Sequence, residues 1–154
     1  MIVVSDTSPI TTLLQIGRAD LLERLYQDVL IPEAVREELS HAHLSLPAFF
    51  KYRAAKDRQE VERLLADIDP GEAEAIVLAK EIHADLLLID ETEGRRVAAR
   101  EGVRFIGLLG VLLHAKQEGY ISSLRNVIRE LETKTTFHLS EELKTRVLQT
   151  AGEL

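Results

Sequence analysis

The chain contains no cysteine, which excludes disulfides and thiolate metal sites and fits a reducing compartment. It also lacks a long apolar run. The longest, about Phe105 to Leu113, is too short to cross a bilayer, and the apolar start Ile2-Val3-Val4 has no leading positive charge of the kind that opens a secretory signal. A soluble, cytoplasmic protein without a membrane segment is expected. Positive charge is in deficit, and a formal net charge of -7 argues against a protein that coats nucleic acid through bulk electrostatics. An acid-rich, metal-binding site would itself contribute to such a deficit, and contacts to phosphate can be few. Histidines are scattered: His41 and His43 have a spacing that suits a metal but no third nitrogen nearby, while His83, His114 and His138 stand apart, so a zinc site built on histidine is not expected. There is no internal repeat, low-complexity tract or linker, and 154 residues is the usual size of one domain.

What the chain does have is a pair of short apolar runs that each end in an aspartate, Ile2-Val3-Val4-Ser5-Asp6 and Leu86-Leu87-Leu88-Ile89-Asp90. Parallel α/β sheets place their sites beyond the C-terminal ends of the strands, which is where both acids would fall. Other brief apolar runs are Val29 to Ile31, Ala48 to Ala55 with its aromatics, and Val103 to Ile106, and each reads as a strand. Helical periodicity follows Pro9, then Asp20 as a cap with Glu23 at the third place after it, then Pro32 with Val35, Leu39 and Ala42. Residues 40–48 read as a loop. Helices resume from Asp57, after the Asp69-Pro70-Gly71 break, and through Val97-Ala98-Ala99; further ones cover Gly107 to Gln117, Ser122 to Leu131 and the segment opened by Ser140-Glu141-Glu142. Strand and helix patterns alternate. The expected fold is α/β, a three-layer α/β/α sandwich with a mostly parallel central sheet, in one domain over residues 1–154.

Each acid has a structural explanation beside a functional one. Asp6 is followed by Thr7 and Ser8, whose hydroxyls suit orienting it or binding water, but an aspartate at a strand-to-helix junction also caps. Helical phase sets Glu38 at the border of the Val35 and Leu39 face, with Glu37 and Glu33 on the far side. Glu72 and Glu74 stand in the first turn of a helix, where the backbone dipole favours acids whatever the function. In a regular helix they would point about 200° apart. Asp90 precedes Glu91, Thr92 and Glu93, where capping of the next helix competes with a site role. Arg95 and Arg96 suit the fork geometry of phosphate recognition, or a solvated helix face. Lys51, Arg53, Lys56, Arg58 and Arg63, interleaved with Phe49, Phe50 and Tyr52, form the least acidic neighbourhood and read as a solvated edge. Gly107 and Gly110 fit neither phosphate-loop pattern and suit close helix packing. Carboxylates gathered without a cation raise one another's pKa, so a true cluster implies Mg²⁺, Mn²⁺ or a shared proton.

Taken together, Ser5-Asp6-Thr7-Ser8-Pro9, Ile31-Pro32-Glu33-Ala34-Val35-Arg36-Glu37-Glu38-Leu39, Gly71-Glu72-Ala73-Glu74-Ala75-Ile76 and Leu87-Leu88-Ile89-Asp90-Glu91 resemble a PIN-domain protein, of the small prokaryotic branch related to VapC toxins. The likeness continues through Gly94-Arg95 and Ile106 to Lys116, so it covers nearly the whole chain. The resemblance implies an endoribonuclease dependent on Mg²⁺ or Mn²⁺ that hydrolyses RNA phosphodiesters, with Asp6, Glu38 and Asp90 as catalytic metal ligands. It also implies a homodimer and a small antitoxin protein that blocks the cleft. The remaining ligand is ambiguous between Glu72 and Glu74, with preference for Glu74 as the residue on the helix proper. Hard cations prefer oxygen, which suits an all-acid site. Thr7, Ser8, Arg95 and Arg96 are the candidate substrate contacts.

Two rivals remain open. A receiver-type domain would use Asp90 as phosphoacceptor, but receivers usually carry a pair of acids after the first strand, and Asp6 is followed by Thr7 and Ser8. A non-catalytic PIN-like module would bind RNA or protein without cleaving.

Overall fold

The computed structural model describes residues 1–43 and 45–154. The first half runs β1 (Val3–Ser5), α1 (Thr7–Gln15), α2 (Asp20–Tyr26), β2 (Val29–Ile31), α3 (Glu33–Ala42), β3 (Phe50–Tyr52) and α4 (Arg58–Leu64). The second half runs α5 (Pro70–Glu81), β4 (Leu86–Leu88), α6 (Thr92–Arg100), β5 (Phe105–Ile106), α7 (Leu108–Gln117), α8 (Leu124–Lys134) and α9 (Glu141–Thr150). The strands form a five-stranded sheet in the order β3-β2-β1-β4-β5. Every pairing is parallel, with Val4 opposite Leu30 and Leu87, and Ser5 opposite Leu88. This is the expected three-layer sandwich.

Alternation along the strands sorts the two cores. Val3, Leu86, Leu88, Val29 and Ile31 face a layer that includes Ile10, Leu13, Leu22, Leu112 and Leu131 from α1, α2, α7 and α8. Val4, Leu87 and Ile89 face the other way, onto Val61, Leu64, Ile76, Leu78 and Val97 from α4, α5 and α6. Burying such a side chain contributes on the order of 2 kcal/mol, and a sheet covered on both faces needs runs that are apolar throughout. The sequence supplies them at β1 and β4.

The order of the strands locates the cleft. From β1 the chain winds outward through β2 and β3, then crosses to the other side of β1 for β4 and β5. Helices leaving β1 and β4 therefore diverge, and the gap beyond the C-terminal ends of these two strands is the topological switch point where open α/β sheets bind ligands. Asp6 donates its backbone N–H to the carbonyl of Leu88 at 2.9 Å, which places it at that gap.

Several boundaries differ from the periodicity. α3 continues through residues 40–42, because Ser40 returns its hydroxyl to the Arg36 carbonyl at 2.8 Å and the His43 amide closes the last turn on Leu39. The loop expected over residues 40–48 is thus shorter, and Leu44 lies outside the described residues. The strand expected over residues 48–55 narrows to Phe50–Tyr52, since a turn from Pro47 to Phe50 precedes it and Ala55 already turns inward. Asp20 is the first helical residue rather than the cap, which is Ala19. Gly17 at φ +70 and Gly119 at φ +80 end α1 and α7 in the left-handed region, which glycine enters at least cost.

Candidate active site

Asp6 occupies the N-cap position of α1, yet its side chain makes no capping bond to the first turn. Its carboxyl is instead buried, 4 % exposed, at the end of β1. Burial pushes its pKa up to about 8, the Thr7 amide works against this, and the charges of Glu72, Asp69 and Glu38 add to the rise. Glu38 reaches the same place from α3. A Cβ added to Gly71 would sit 2.8 Å from Glu38 Oε1 and 3.3 Å from Asp6 Oδ1, so both carboxylates occupy the space left open above that glycine.

Glu72 arrives from the first turn of α5, where Asp69 and Glu72 form a reciprocal capping box: the Glu72 amide donates to Asp69 Oδ1 at 2.8 Å, and Asp69 N donates to Glu72 Oε1 at 3.3 Å. The other carboxylate oxygen, Oε2, lies against Gly94 and has no hydrogen-bond partner among the described residues. Burial first, and the Asp69 charge second, push the Glu72 pKa up to about 7. Thr7 Oγ1 is likewise buried without a partner among the described residues.

These groups line one cleft of about 340 Å³ formed by Asp6, Thr7, Ser8, Glu38, Asp69, Glu72, Glu91, Thr92 and Glu93. Six of the nine are acids and none is basic. Asp69, Glu91 and Glu93 were not among the expected site residues. The Asp69-x-x-Glu72 capping pattern and the run of polar residues after Asp90 were the available signals.

The other expected residues lie elsewhere. Glu74 points away, as the angular separation from Glu72 requires: its Oε1 accepts from the Ala34 amide at 2.9 Å, and its Oε2 pairs with Arg58 at 3.0 Å. The preference for Glu74 over Glu72 as the cleft-facing acid is therefore corrected, because Glu74 serves the start of α3. Asp90 does cap a helix, but across the fold: its Oδ1 accepts from Leu108 N of α7 at 2.7 Å, in the space that Gly107 leaves open. Burial raises the Asp90 pKa, against the Leu108 amide and the Arg95 charge. Gly107 thus makes room for a carboxylate, while Gly110 packs on Ile106 as its spacing suggested. Arg95 leans over the Phe105 ring at 5.2 Å, and Arg96 is held by Glu93 at 2.6 Å; neither lines the cleft. Thr7 and Ser8 do.

The donor set suits a hard divalent cation: oxygen ligands only, like charges left uncompensated, and a buried carboxylate oxygen with nothing to accept from. Among the described residues no three acid or histidine side chains already converge closely enough to hold an ion. Asp6 and Glu38 both stand over Gly71, and Glu72 and Asp69 are the other acids whose charges bear on Asp6; Mg²⁺ is often held by one or two carboxylates completed by water and substrate.

No helix is long and apolar enough to cross a membrane among the described residues. No curated protein and no solved structure matches the chain. A family model described as DUF3368, PIN domain, matches residues 2–153. With that match spanning the parallel sheet, the switch-point cleft and its carboxylates, the chain belongs to the PIN-domain family, whose fold is of nuclease type.

Proposed function

We propose that the protein is a metal-dependent endoribonuclease that hydrolyses RNA phosphodiester bonds in the cleft between β1 and β4. The observation that carries this reading is the meeting of Asp6 and Glu38 above Gly71, inside a cleft whose lining holds six acids and no cation. A bound Mg²⁺ or Mn²⁺ would lower the pKa of water and neutralise charge on the scissile phosphate. The chain's own part is to hold the donors in place: the Asp6 backbone is fixed by the hydrogen bond its N–H donates to the Leu88 carbonyl, and Glu72 by the capping box with Asp69. Ser8 lines the cleft beside Asp6 and offers a hydroxyl for orienting water or substrate oxygen, while the Thr7 hydroxyl is buried at its wall. The low exposure of Asp6 and Glu72 keeps the acids in a medium where their charge acts strongly on whatever binds.

The biological setting that goes with this reading is a toxin of a VapBC-like toxin-antitoxin pair, a homodimer whose cleft a small antitoxin covers. Single-turnover cleavage of a labelled RNA tests the catalytic claim. Chelator-treated protein should be inert, Mn²⁺ or Mg²⁺ should restore cleavage, and Asp6→Asn or Glu38→Gln should lower the rate by about 100-fold or more while circular dichroism stays unchanged. Equal cleavage by Asp6→Asn would overturn it.

A second reading has one observation behind it. Because no three donors converge among the described residues, a PIN-like module that binds RNA or protein without cutting fits the cleft as well. It predicts RNA binding that Mn²⁺ does not convert into cleavage. The receiver reading loses ground, since the Asp90 carboxylate is engaged by Leu108 N.

A further inference from the structure

Three successive helices carry at their start a glycine that leaves room for a carboxylate from another element. Gly71 is the second residue of α5 and faces Glu38 and Asp6, Gly94 is the third of α6 and faces Glu72, and Gly107 caps α7 and faces Asp90. Gly94 is buried in a regular helical turn, its backbone lies outside the left-handed region, and alanine is the better helix former there. What this glycine supplies is space. A Cβ on it would overlap Glu72 Oε2, and would lie 2.6 Å from Ile89 Cδ1 and 3.1 Å from Glu72 Cδ.

The carboxylate seated over Gly94 is poorly served. Its Oε1 accepts from Asp69 N across 3.3 Å, while Oε2 is buried with no hydrogen-bond partner among the described residues, a state that buried acceptors rarely keep. Beyond the dipole of α6, whose first turn it lies against, shape alone keeps Oε2 in place. The position matters because Glu72 is the acid whose charge weighs most on Asp6, ahead of Asp69 and Glu38. Over Gly94 it stands back from the pair above Gly71, and no three acid side chains converge among the described residues.

We propose that Gly94 is a positioning residue: its missing side chain is the seat that keeps Glu72 back from Asp6 and Glu38 in the metal-free protein, and that Glu72 leaves to join them on a divalent cation. The inference rests on the metal-dependent reading of the cleft. A carboxylate in an unpartnered position loses little on leaving it, whereas a further charged oxygen within reach of a hard cation raises the affinity. Alanine at position 94 would fill the seat. Glu72 is only 5 % exposed, and the free volume beside it is the cleft that it lines, so the methyl drives it forward. A methyl at Gly71 would instead push the exposed Glu38 aside, and the two glycines therefore act on the ion with opposite sign.

Calorimetry with Mn²⁺ alone, beside urea unfolding in chelator, tests this on the full chain. Gly94→Ala should bind Mn²⁺ on the order of tenfold more tightly, the scale on which changes behind a ligand act, while its metal-free form unfolds at lower urea. In a Glu72→Ala background the same substitution should leave Mn²⁺ affinity unchanged, since the methyl then has no carboxylate to displace. Ile89→Val removes the Cδ1 that the methyl also meets, so Gly94→Ala combined with Ile89→Val carries the test where the single variant does not fold. Unchanged or weaker Mn²⁺ binding in these variants, or the same gain with and without the Glu72 side chain, overturns the role of Gly94. That result alongside metal-dependent cleavage of a labelled RNA by the wild type leaves the nuclease reading standing. A gain in Mn²⁺ affinity that needs Glu72, with no cleavage in any metal, supports the seat and overturns the nuclease reading instead.

Discussion

Glu38 Oε1 and Asp6 Oδ1, from a helix and a strand far apart in sequence, both approach the point where a Cβ on Gly71 would lie, at 2.8 and 3.3 Å. Gly71 sits in the first turn of α5, where no unusual backbone angle calls for glycine. Its requirement is space. Alanine there would collide first with Glu38 Oε1, the end of a flexible and exposed side chain that can move aside.

Gly71→Ala should therefore separate stability from metal binding. Unfolding by urea should show a midpoint unchanged or slightly raised, because alanine is the better helix former by roughly 0.5–1 kcal/mol. Mn²⁺ affinity measured by calorimetry should fall on the order of tenfold, as for other changes that misplace a ligand from behind. Loss of stability with unchanged Mn²⁺ affinity would contradict this role for the glycine.

Glu72 and Glu74 should part company in the same way. Glu74→Ala leaves the Ala34 amide without its acceptor and should cost about 1–3 kcal/mol, whereas Glu74→Gln keeps an acceptor and loses an ion pair whose Arg58 side is largely open, worth less than about 1 kcal/mol. Glu72→Gln removes a buried charge from the cleft, so it should stabilise the metal-free protein and weaken Mn²⁺ binding. Matched urea titrations and Mn²⁺ calorimetry of the glutamine variants check this. A larger loss of Mn²⁺ affinity in Glu74→Gln than in Glu72→Gln would restore Glu74 to the cleft.

The metal-free protein should lose stability as pH rises. The Asp6 carboxyl holds its proton up to about 8 in the fold against an ordinary value of 3.8, so the folded state binds that proton more tightly than the unfolded chain does. Its contribution is complete below about pH 4 and is lost progressively toward pH 8. Glu72, pushed to about 7, acts with the same sign over a narrower window. Asp6→Asn should flatten the profile and be the more stable protein at pH 8 by on the order of a few kcal/mol in chelator. Parallel pH profiles for the two proteins would exclude Asp6 as the source.

The sheet was legible because β1 and β4 are apolar on both faces, a pattern that follows from burial alone. The strands at β3 and β5 were legible as segments but not in extent: edge strands end where side chains and turns stop pairing, as Pro47 and Ala55 do around β3. Glu38 was distinguishable from Glu37 by helical phase, and the geometry puts its oxygen beside Asp6. Phase could also say that Glu72 and Glu74 diverge, but not which one faces the cleft. That depends on how α5 is rotated against α3, a tertiary fact fixed by the Ala34 amide and the Asp69 capping box. Asp90 stands at the expected end of β4, yet its Oδ1 serves the Leu108 amide of α7, which arrives eighteen residues later, and it does not line the cleft. Asp69, Glu91 and Glu93 were hidden because acids near helix starts are common for dipole reasons and carry no mark of a site.

A divalent cation held by Asp6 and Glu38 above Gly71 is the point on which the functional reading turns. Crystals of the full chain soaked in Mn²⁺ and measured at the manganese absorption edge test it most directly. An anomalous peak is expected between these two carboxylates, with Glu72 turned toward it, and it should disappear in Asp6→Asn. A peak bound by Glu74 or Asp90 without Asp6, or no peak in the cleft at saturating Mn²⁺, would contradict it.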